Sequence, residues 1–444
     1  MTVSRTICLG FLAVIAIGTL LLWMPFSTSD GSWNDPIVAL FTSTSAVCVT
    51  GHIVVDTGTH FSPLGQFFIL SLIQIGGLGY MTATTFLLLI LGRRFGLRDK
   101  IALQQALDRP NMQGSTQVLR SIIATTLIFE LTGAFFLLPT FARDHGLSQG
   151  LWLSIFHSVS AWNNAGFSLF SDNLVGYQFS IPVNLVITGL IIFGGIGYEV
   201  IFELFLLLRD RLTRSTERIV FSLNFKVAVS TTIILLVVGT IAIFLTELNN
   251  PETLGPMNFG QRLITAWAQA VVPRTAGFNT INIGAMTVPS LFIMIVLMFI
   301  GGSPGGTAGG IKTTTLRVLT SCTKAILQGK EEVILYDRQV PVSLILKAVG
   351  VAVGSLVTVS VMTILITFSD PNIDFIRILF EVMSGFATVG LSTGITAGLS
   401  TFAKLVIVAT MYIGRVGVLL LMGAILGDPS PTAVRFPEEN LLVG

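Results

Sequence analysis

Four short segments carry the residue types that can hold a dehydrated cation: Cys48-Val49-Thr50-Gly51-His52, Asn163-Asn164-Ala165-Gly166-Phe167, Arg274-Thr275-Ala276-Gly277-Phe278 and Ala387-Thr388-Val389-Gly390-Leu391. Glycine takes positive φ without steric cost, so successive carbonyls around it can turn toward one line. A ring of such carbonyls replaces the hydration shell of an ion. Thr50, Thr275 and Thr388 can add hydroxyl oxygens, and Asn164 an amide. None of the segments holds an acidic residue, which suits a carbonyl site better than a ring of carboxylates. A single Ala-Gly or Val-Gly reads as a tight turn. Four in register read as a repeat. Gly51, Gly166, Gly277 and Gly390 stand 115, 111 and 113 residues apart, and a second glycine marker follows each, at Gly76-Gly77, Gly194-Gly195, Gly301-Gly302 and Gly414.

The elements that must position these segments lie in a membrane. Of the 444 residues, 52% are hydrophobic and 11% charged, against about 25% charged in a soluble domain. Apolar runs such as 7–23, 65–91, 182–208 and 227–245 approach or exceed the roughly 20 residues that cross a bilayer. The first run lacks a small-residue cleavage site and is read as a retained helix, not a signal peptide. Each repeat then reads alike. A spanning helix (about 5–25, 117–139, 226–247 and 342–368) precedes a shorter stretch (about 34–47, 149–163, 260–272 and 374–386). The glycine segment follows, and then a second span (63–92, 181–209, 287–325 with a break, and 399–425). The shorter stretches are too short to cross and should be re-entrant. The expected fold is therefore an all-α membrane protein of eight transmembrane helices and four re-entrant pore helices, arranged as four helix–pore loop–helix repeats around one pseudo-fourfold pore. Two crossings per unit give all four copies the same orientation, so they can surround an axis.

The units are expected at 1–92, 117–209, 226–325 and 342–425, with linkers 93–116, 210–225 and 326–341 and a tail 426–444. Basic residues mark one side: Arg93, Arg94, Arg98 and Lys100 after the first unit, Arg209, Arg211, Arg214 and Arg218 after the second, and Lys324, Lys330 and Arg338 after the third. Positive loops stay in the cytoplasm, so linkers and both termini are placed there.

The run Gly301-Gly302-Ser303-Pro304-Gly305-Gly306-Thr307-Ala308-Gly309-Gly310 cannot hold a regular helix. It breaks the third unit's second span and is read as a loop, 301–311, that obstructs the path below the ring until it moves, with Lys312 just beyond it. Arg415 lies well inside the last span, where a charge must face protein or water. It either satisfies carbonyls near that loop or sets an electrostatic barrier with it. Arg274 would repel a cation if it faced the axis, so it is expected to brace a pore helix. Glu130 and Glu381 are expected to form structural pairs, and Asp30, Asp35 and Asp56 lie where they could concentrate cations outside. Three isolated cysteines suggest no disulfide framework. The four histidines form no HExxH pair and there is no P-loop, so neither an enzyme nor a nucleotide site is expected in this chain.

These motifs resemble the Trk/Ktr/HKT superfamily of potassium transporters along essentially the whole chain, and the KtrB-type membrane subunit most closely. The resemblance rests on Val49-Thr50-Gly51 with Val54-Val55-Asp56-Thr57-Gly58, Asn163-Asn164-Ala165-Gly166-Phe167-Ser168, Pro273-Arg274-Thr275-Ala276-Gly277-Phe278-Asn279 and Thr388-Val389-Gly390-Leu391, together with Gln74-Ile75-Gly76-Gly77-Leu78-Gly79. The first span begins almost at the N-terminus, where Trk-type relatives are longer. His52 and Cys48 depart from the family pattern, which has a small apolar and a hydroxyl residue there. The resemblance implies channel-like potassium uptake across a bacterial inner membrane. Potassium would lie at the carbonyls of Thr50, Gly51, Asn164, Gly166, Thr275, Gly277, Thr388 and Gly390, within a filter that also includes Val49, Ala165, Ala276 and Val389. It further implies sodium as an activator, gating by the glycine-rich loop with Arg415, a homodimer, and a KtrA-type (RCK) cytoplasmic ring that binds nucleotide. That ring would dock on 93–116, 209–225 and 326–341; no nucleic-acid partner is expected. The alternative is a sodium-coupled cation carrier with alternating access, a Trk-type or sodium-transporting relative.

Overall fold

A computed structural model describes residues 3–79, 115–213 and 221–427. Each unit opens with a long apolar helix: Val3–Trp23, Ser115–His145, Leu223–Glu247 and Val342–Ser369. All four are long and apolar enough to cross a membrane. Their outward faces stay uncovered, as at Leu127, Ile128, Leu131 and Phe135, or Val353, Leu356, Val357 and Val361. Such stripes would be unstable in water but cost nothing against lipid tails, which are equally apolar.

The polar residues are inside. The short helices Pro36–Val47, Leu147–Trp162, Phe259–Val271 and Phe375–Phe386 have 12 to 16 residues, or about 18–24 Å of helix. Each packs on the long helix of its own unit. Thr42, Ser43, Thr44 and Ser45 are buried along the first, and Ser154, His157, Ser158 and Ser160 along the second. Local chemistry sets where they start. Asp35 accepts a hydrogen bond from the Ile37 N–H at 2.7 Å, with Pro36 in the first turn. Asn258 and Gln261 form a reciprocal capping box, which satisfies two otherwise orphaned N–H groups.

The second spans depart from expectation. A break is anticipated only in the third unit, yet two further spans are bent. Ile181–Ile196 and Tyr198–Leu212 meet at 107°, and Thr401–Val416 and Val418–Leu426 at 93°. In the third unit Val288–Phe299 and Thr313–Leu327 flank the glycine-rich loop. In the first, Pro63–Leu78 ends at Gly79, and the rest of the span expected to 92 lies outside the described residues. The cause is a pair of glycines three apart: Gly76 and Gly79, Gly194 and Gly197, Gly414 and Gly417. A methyl on the first of each pair would collide with the last carbonyl of its own short helix, at Val47, Trp162 and Phe386 respectively. The second of each pair has φ of 78°, 98° and 88°, which ends a right-handed helix. The second glycine marker thus seats the span against the short helix and then turns it.

The linker 326–341 holds a small hairpin, Ile334–Leu335 paired antiparallel with Arg338–Gln339. Tyr336 and Asp337 both have positive φ, the geometry of a two-residue hairpin turn. This is the described strand structure in an otherwise helical chain. Nearly all of linker 93–116, residues 214–220 and the tail from 428 lie outside the described residues.

Candidate functional site

Each short helix ends four to six residues before the glycine of its segment, so its negative dipole end lies at that segment. Counting back two residues from each glycine reaches Val49, Asn164, Thr275 and Thr388, with φ of 56°, 57°, 69° and 52°. The glycines Gly51, Gly166, Gly277 and Gly390 have φ of 90°, 69°, 64° and 88°. The residues between them, Thr50, Ala165, Ala276 and Val389, are not left-handed. Alternating hand turns successive backbone groups to one side, whereas a strand sends them to opposite sides. Left-handed backbone costs a non-glycine residue about 1–2 kcal/mol, and here it recurs at the same register in all four units.

The four segments meet. A methyl on Gly51 would collide with the Ala165 carbonyl oxygen, one on Gly166 would lie 2.8 Å from that of Ala276, one on Gly277 2.5 Å from that of Val389, and one on Gly390 would collide with that of Thr50. Each glycine therefore abuts the carbonyl that precedes the glycine of the next unit, and the fourth returns to the first. The ring closes in chain order. Within it, Thr50 stands one residue later than Thr275 and Thr388, so the three threonines do not share a register as oxygen donors. Val49 and Asn164 occupy the matching positions. The hydroxyls of Thr50 and Thr388 are buried without a protein partner.

Side chains behind the ring fix it to the short helices. Serine recurs six residues before the glycine in three units. Ser45 accepts from the Gly51 N–H at 3.1 Å, Ser160 donates to the Phe167 carbonyl at 2.8 Å, and Ser384 shares a 2.9 Å hydrogen bond with His52. Sequence reasoning did not single out these serines, although their recurrence is readable. Glu381 accepts from Ser392 at 2.6 Å, the Thr393 N–H at 2.8 Å and Thr396 at 2.9 Å, and so ties down the chain above the fourth segment. Glu130 accepts from Asn163 at 3.1 Å. Both carboxylates are hydrogen-bonded within the protein, outside the ring. Arg274 points away from the ring: its guanidinium donates to Thr232 and, at 3.2 Å, to the Gly301 carbonyl. Asp35 and Asp56 serve as helix N-caps. At Asp30, hydrogen bonds from the backbone and hydroxyl of Ser32 hold the carboxyl below its ordinary range.

Residues 300–312 lie directly beneath. The N–H groups of Ser303 and Thr307 donate to the carbonyls of Gly195 and Gly194 at 2.9 and 3.1 Å. The Thr307 hydroxyl donates to the Asn164 side chain at 3.1 Å. A methyl on Gly309 would collide with the Thr388 hydroxyl. The loop thus touches the left-handed residues of two units. Lys312 donates back to the Ala308 carbonyl at 2.6 Å. Arg415 donates to the carbonyls of Thr307 and Gly76, joining the fourth unit to the loop and to the first unit's second helix. Below lies a cavity of about 730 Å³ whose described lining includes Lys312, Lys347 and Arg415 and no acidic side chain. Of the residues expected to act together, the ring segments meet one another, the loop touches them through Thr307 and Gly309, and Lys312 and Arg415 bond the loop at Ala308 and Thr307.

The model of the TrkH family, described as a cation transport protein, matches residues 4–430. The chain belongs to the TrkH family. Relatives span its full length. The Ktr system potassium uptake protein B of Bacillus subtilis (strain 168) is 38% identical, with 100% of this chain and 97% of that protein covered. Its namesake in Vibrio alginolyticus is 37% identical, covering 99% and 94%. The potassium/sodium uptake protein NtpJ of Enterococcus hirae is 37% identical, covering 99% and 97%. The crystal structure of the potassium transporter TrkH from Vibrio parahaemolyticus matches with a TM-score of 0.72 at 19% identity, covering 95% of this chain and 85% of that one, a likeness of fold. The expected kinship with the Trk/Ktr superfamily is borne out, and the four-unit architecture is that of the TrkH family. This TrkH-family chain is a multi-pass membrane protein.

Proposed function

We propose that the protein takes up potassium through the ring, which acts as a selectivity filter. The carbonyls of Thr50, Gly51, Asn164, Gly166, Thr275, Gly277, Thr388 and Gly390 would replace the ion's hydration shell, with Val49, Ala165, Ala276 and Val389 completing the four strands. The observation that carries this reading is the closed, chain-ordered ring of alternating-handed backbone. The oxygens are pre-positioned by backbone geometry, so binding does not have to order flexible side chains. Short-helix C-termini add negative potential where a cation would sit. Relatives named for potassium, or for potassium and sodium, uptake support the choice of ion.

The gate of this reading is the loop 301–311 with Lys312 and Arg415. Its support is position: the loop touches Asn164 and Thr388 from below, and three basic side chains line the cavity beyond. In this reading Arg415 serves both roles left open by sequence, since it satisfies one carbonyl of the loop, that of Thr307, and one of the first unit, that of Gly76, and would put a positive charge beside the path. Sodium as an activator is proposed on the likeness to the potassium/sodium uptake protein. A homodimer with a nucleotide-binding cytoplasmic ring is proposed because relatives are named as parts of a Ktr system. The basic loops support cytoplasmic termini; an inner-membrane location and docking of the ring on 93–116, 209–225 and 326–341 are part of the same proposal.

Growth rescue of cells lacking potassium uptake, with and without sodium and a candidate ring subunit, tests the function. Rescue at low potassium is expected. Gly51→Ser should restore growth only at high potassium and lose discrimination against sodium. Unchanged selectivity in that variant would contradict a carbonyl filter.

A further inference from the structure

The residue after each ring glycine is His52, Phe167, Phe278 and Leu391. All four are buried. Three are apolar and one is not. The structure also indicates what this position contacts. Phe278 of the third unit faces His157, on the short helix of the second, with ring centroids 6.3 Å apart. His52 of the first unit faces Ser384 and Glu381, on the short helix of the fourth, at 2.9 and 3.7 Å. Glu381 and His157 hold equivalent places, nine residues before their ring glycines. In the first and third units the residue after the glycine thus wedges against the preceding unit's short helix, closing the seam between neighbours.

At the seam between the first and fourth units the wedge is hydrogen-bonded. Ser45 and Ser160 use their hydroxyls within their own units, on Gly51 and Phe167. Ser384, the third serine of the set, shares a hydrogen bond with His52 across the seam. This is also where the ring is tightest, since the space beside Gly390 is filled by the Thr50 carbonyl and the Gly51 backbone.

We propose that His52 is a positioning residue for ion discrimination. Through Ser384 it fixes the spacing of the first and fourth strands, and with it the Thr50 and Gly51 carbonyls, without itself touching the ion. This rests on the filter reading above. A seam free to widen lets carbonyls relax around a differently sized ion, so discrimination falls while conduction persists. Losing the bond should lower potassium-over-sodium discrimination by up to about fivefold, the equivalent of the about 1 kcal/mol that a buried hydrogen bond contributes.

The test is rubidium and sodium flux in proteoliposomes of the full chain, normalised to folded protein by size-exclusion recovery. His52→Leu places the fourth unit's residue in the first, Ser384→Ala removes the partner with little change of shape, and His52→Gln keeps a group able to bond Ser384. The expected result is a similar loss of discrimination in His52→Leu, Ser384→Ala and their double variant, with His52→Gln near wild type and maximal rubidium flux retained in all. Wild-type discrimination in Ser384→Ala, or losses that multiply in the double variant, would overturn the proposal. Should His52→Leu not fold, Ser384→Ala against His52→Gln decides alone. A wild-type protein that passes neither ion selectively would instead sink the filter reading, a result distinct from selective wild type with insensitive variants.

Discussion

The ring and the loop beneath it are both glycine-rich and irregular, yet the ring is buried throughout while the loop is open at its tip, around Gly305. The ring is held by exclusion: at Gly51 and Gly390 no methyl fits, because a neighbour's carbonyl already fills the place. The loop is close-packed at its ends, at Gly301, Gly302 and Gly309, but its middle is held by hydrogen bonds from Ser303 and Thr307 to carbonyls of the second unit and from Arg415 to Thr307, each of which water can replace once the loop moves. A packed arrangement has no near alternative, whereas a hydrogen-bonded one has a second state a few bonds away. Rigid above and releasable below is what selection followed by gating requires.

The sharpest way to break this contrast is a matched pair of glycine substitutions. Gly390→Ala combines a forced left-handed φ with a backbone clash and should abolish uptake, with flux falling more than about 100-fold, since overpacking of 1–3 kcal/mol adds to the backbone penalty. Gly305→Ala also meets positive φ, 74°, but open space, and should cost only about 1–2 kcal/mol, with flux kept within about tenfold. Equal effects would erase the distinction. Next in size is Arg415→Gln. Hydrogen bonds from a charged donor contribute about 1.5–3 kcal/mol, so unlatching the loop should raise flux without a partner subunit by about tenfold or more, read as rubidium uptake. An unchanged basal flux would mean that Arg415 does not hold the loop closed. The smallest effect is expected from Thr307→Val, which removes the hydroxyl bond to Asn164. At about 1 kcal/mol it should raise basal flux about fivefold and leave ion discrimination unchanged. A change in discrimination would show the loop to be part of the filter.

The ring and its fourfold order were legible because glycine and its register recur, and positive φ leaves few other residue choices. The loop was legible for the same reason, with six glycines in ten residues. The bends at Gly197 and Gly417 were not, because a glycine inside an apolar run reads as a tolerated small residue. Their meaning depends on a carbonyl of another helix pressing on Gly194 and Gly414, and no periodicity within the span records that contact. The pairing of Asn164 with Thr307 joins residues 143 apart and likewise has no local trace.

The most direct test is a structure of the full chain soaked in thallium, a heavy potassium mimic, with the ion located by anomalous scattering. The account predicts density on the axis encircled by Thr50, Ala165, Ala276 and Val389, and its loss in Gly390→Ala. Thallium found only in the cavity below the loop, with the axis of the ring empty, would contradict it.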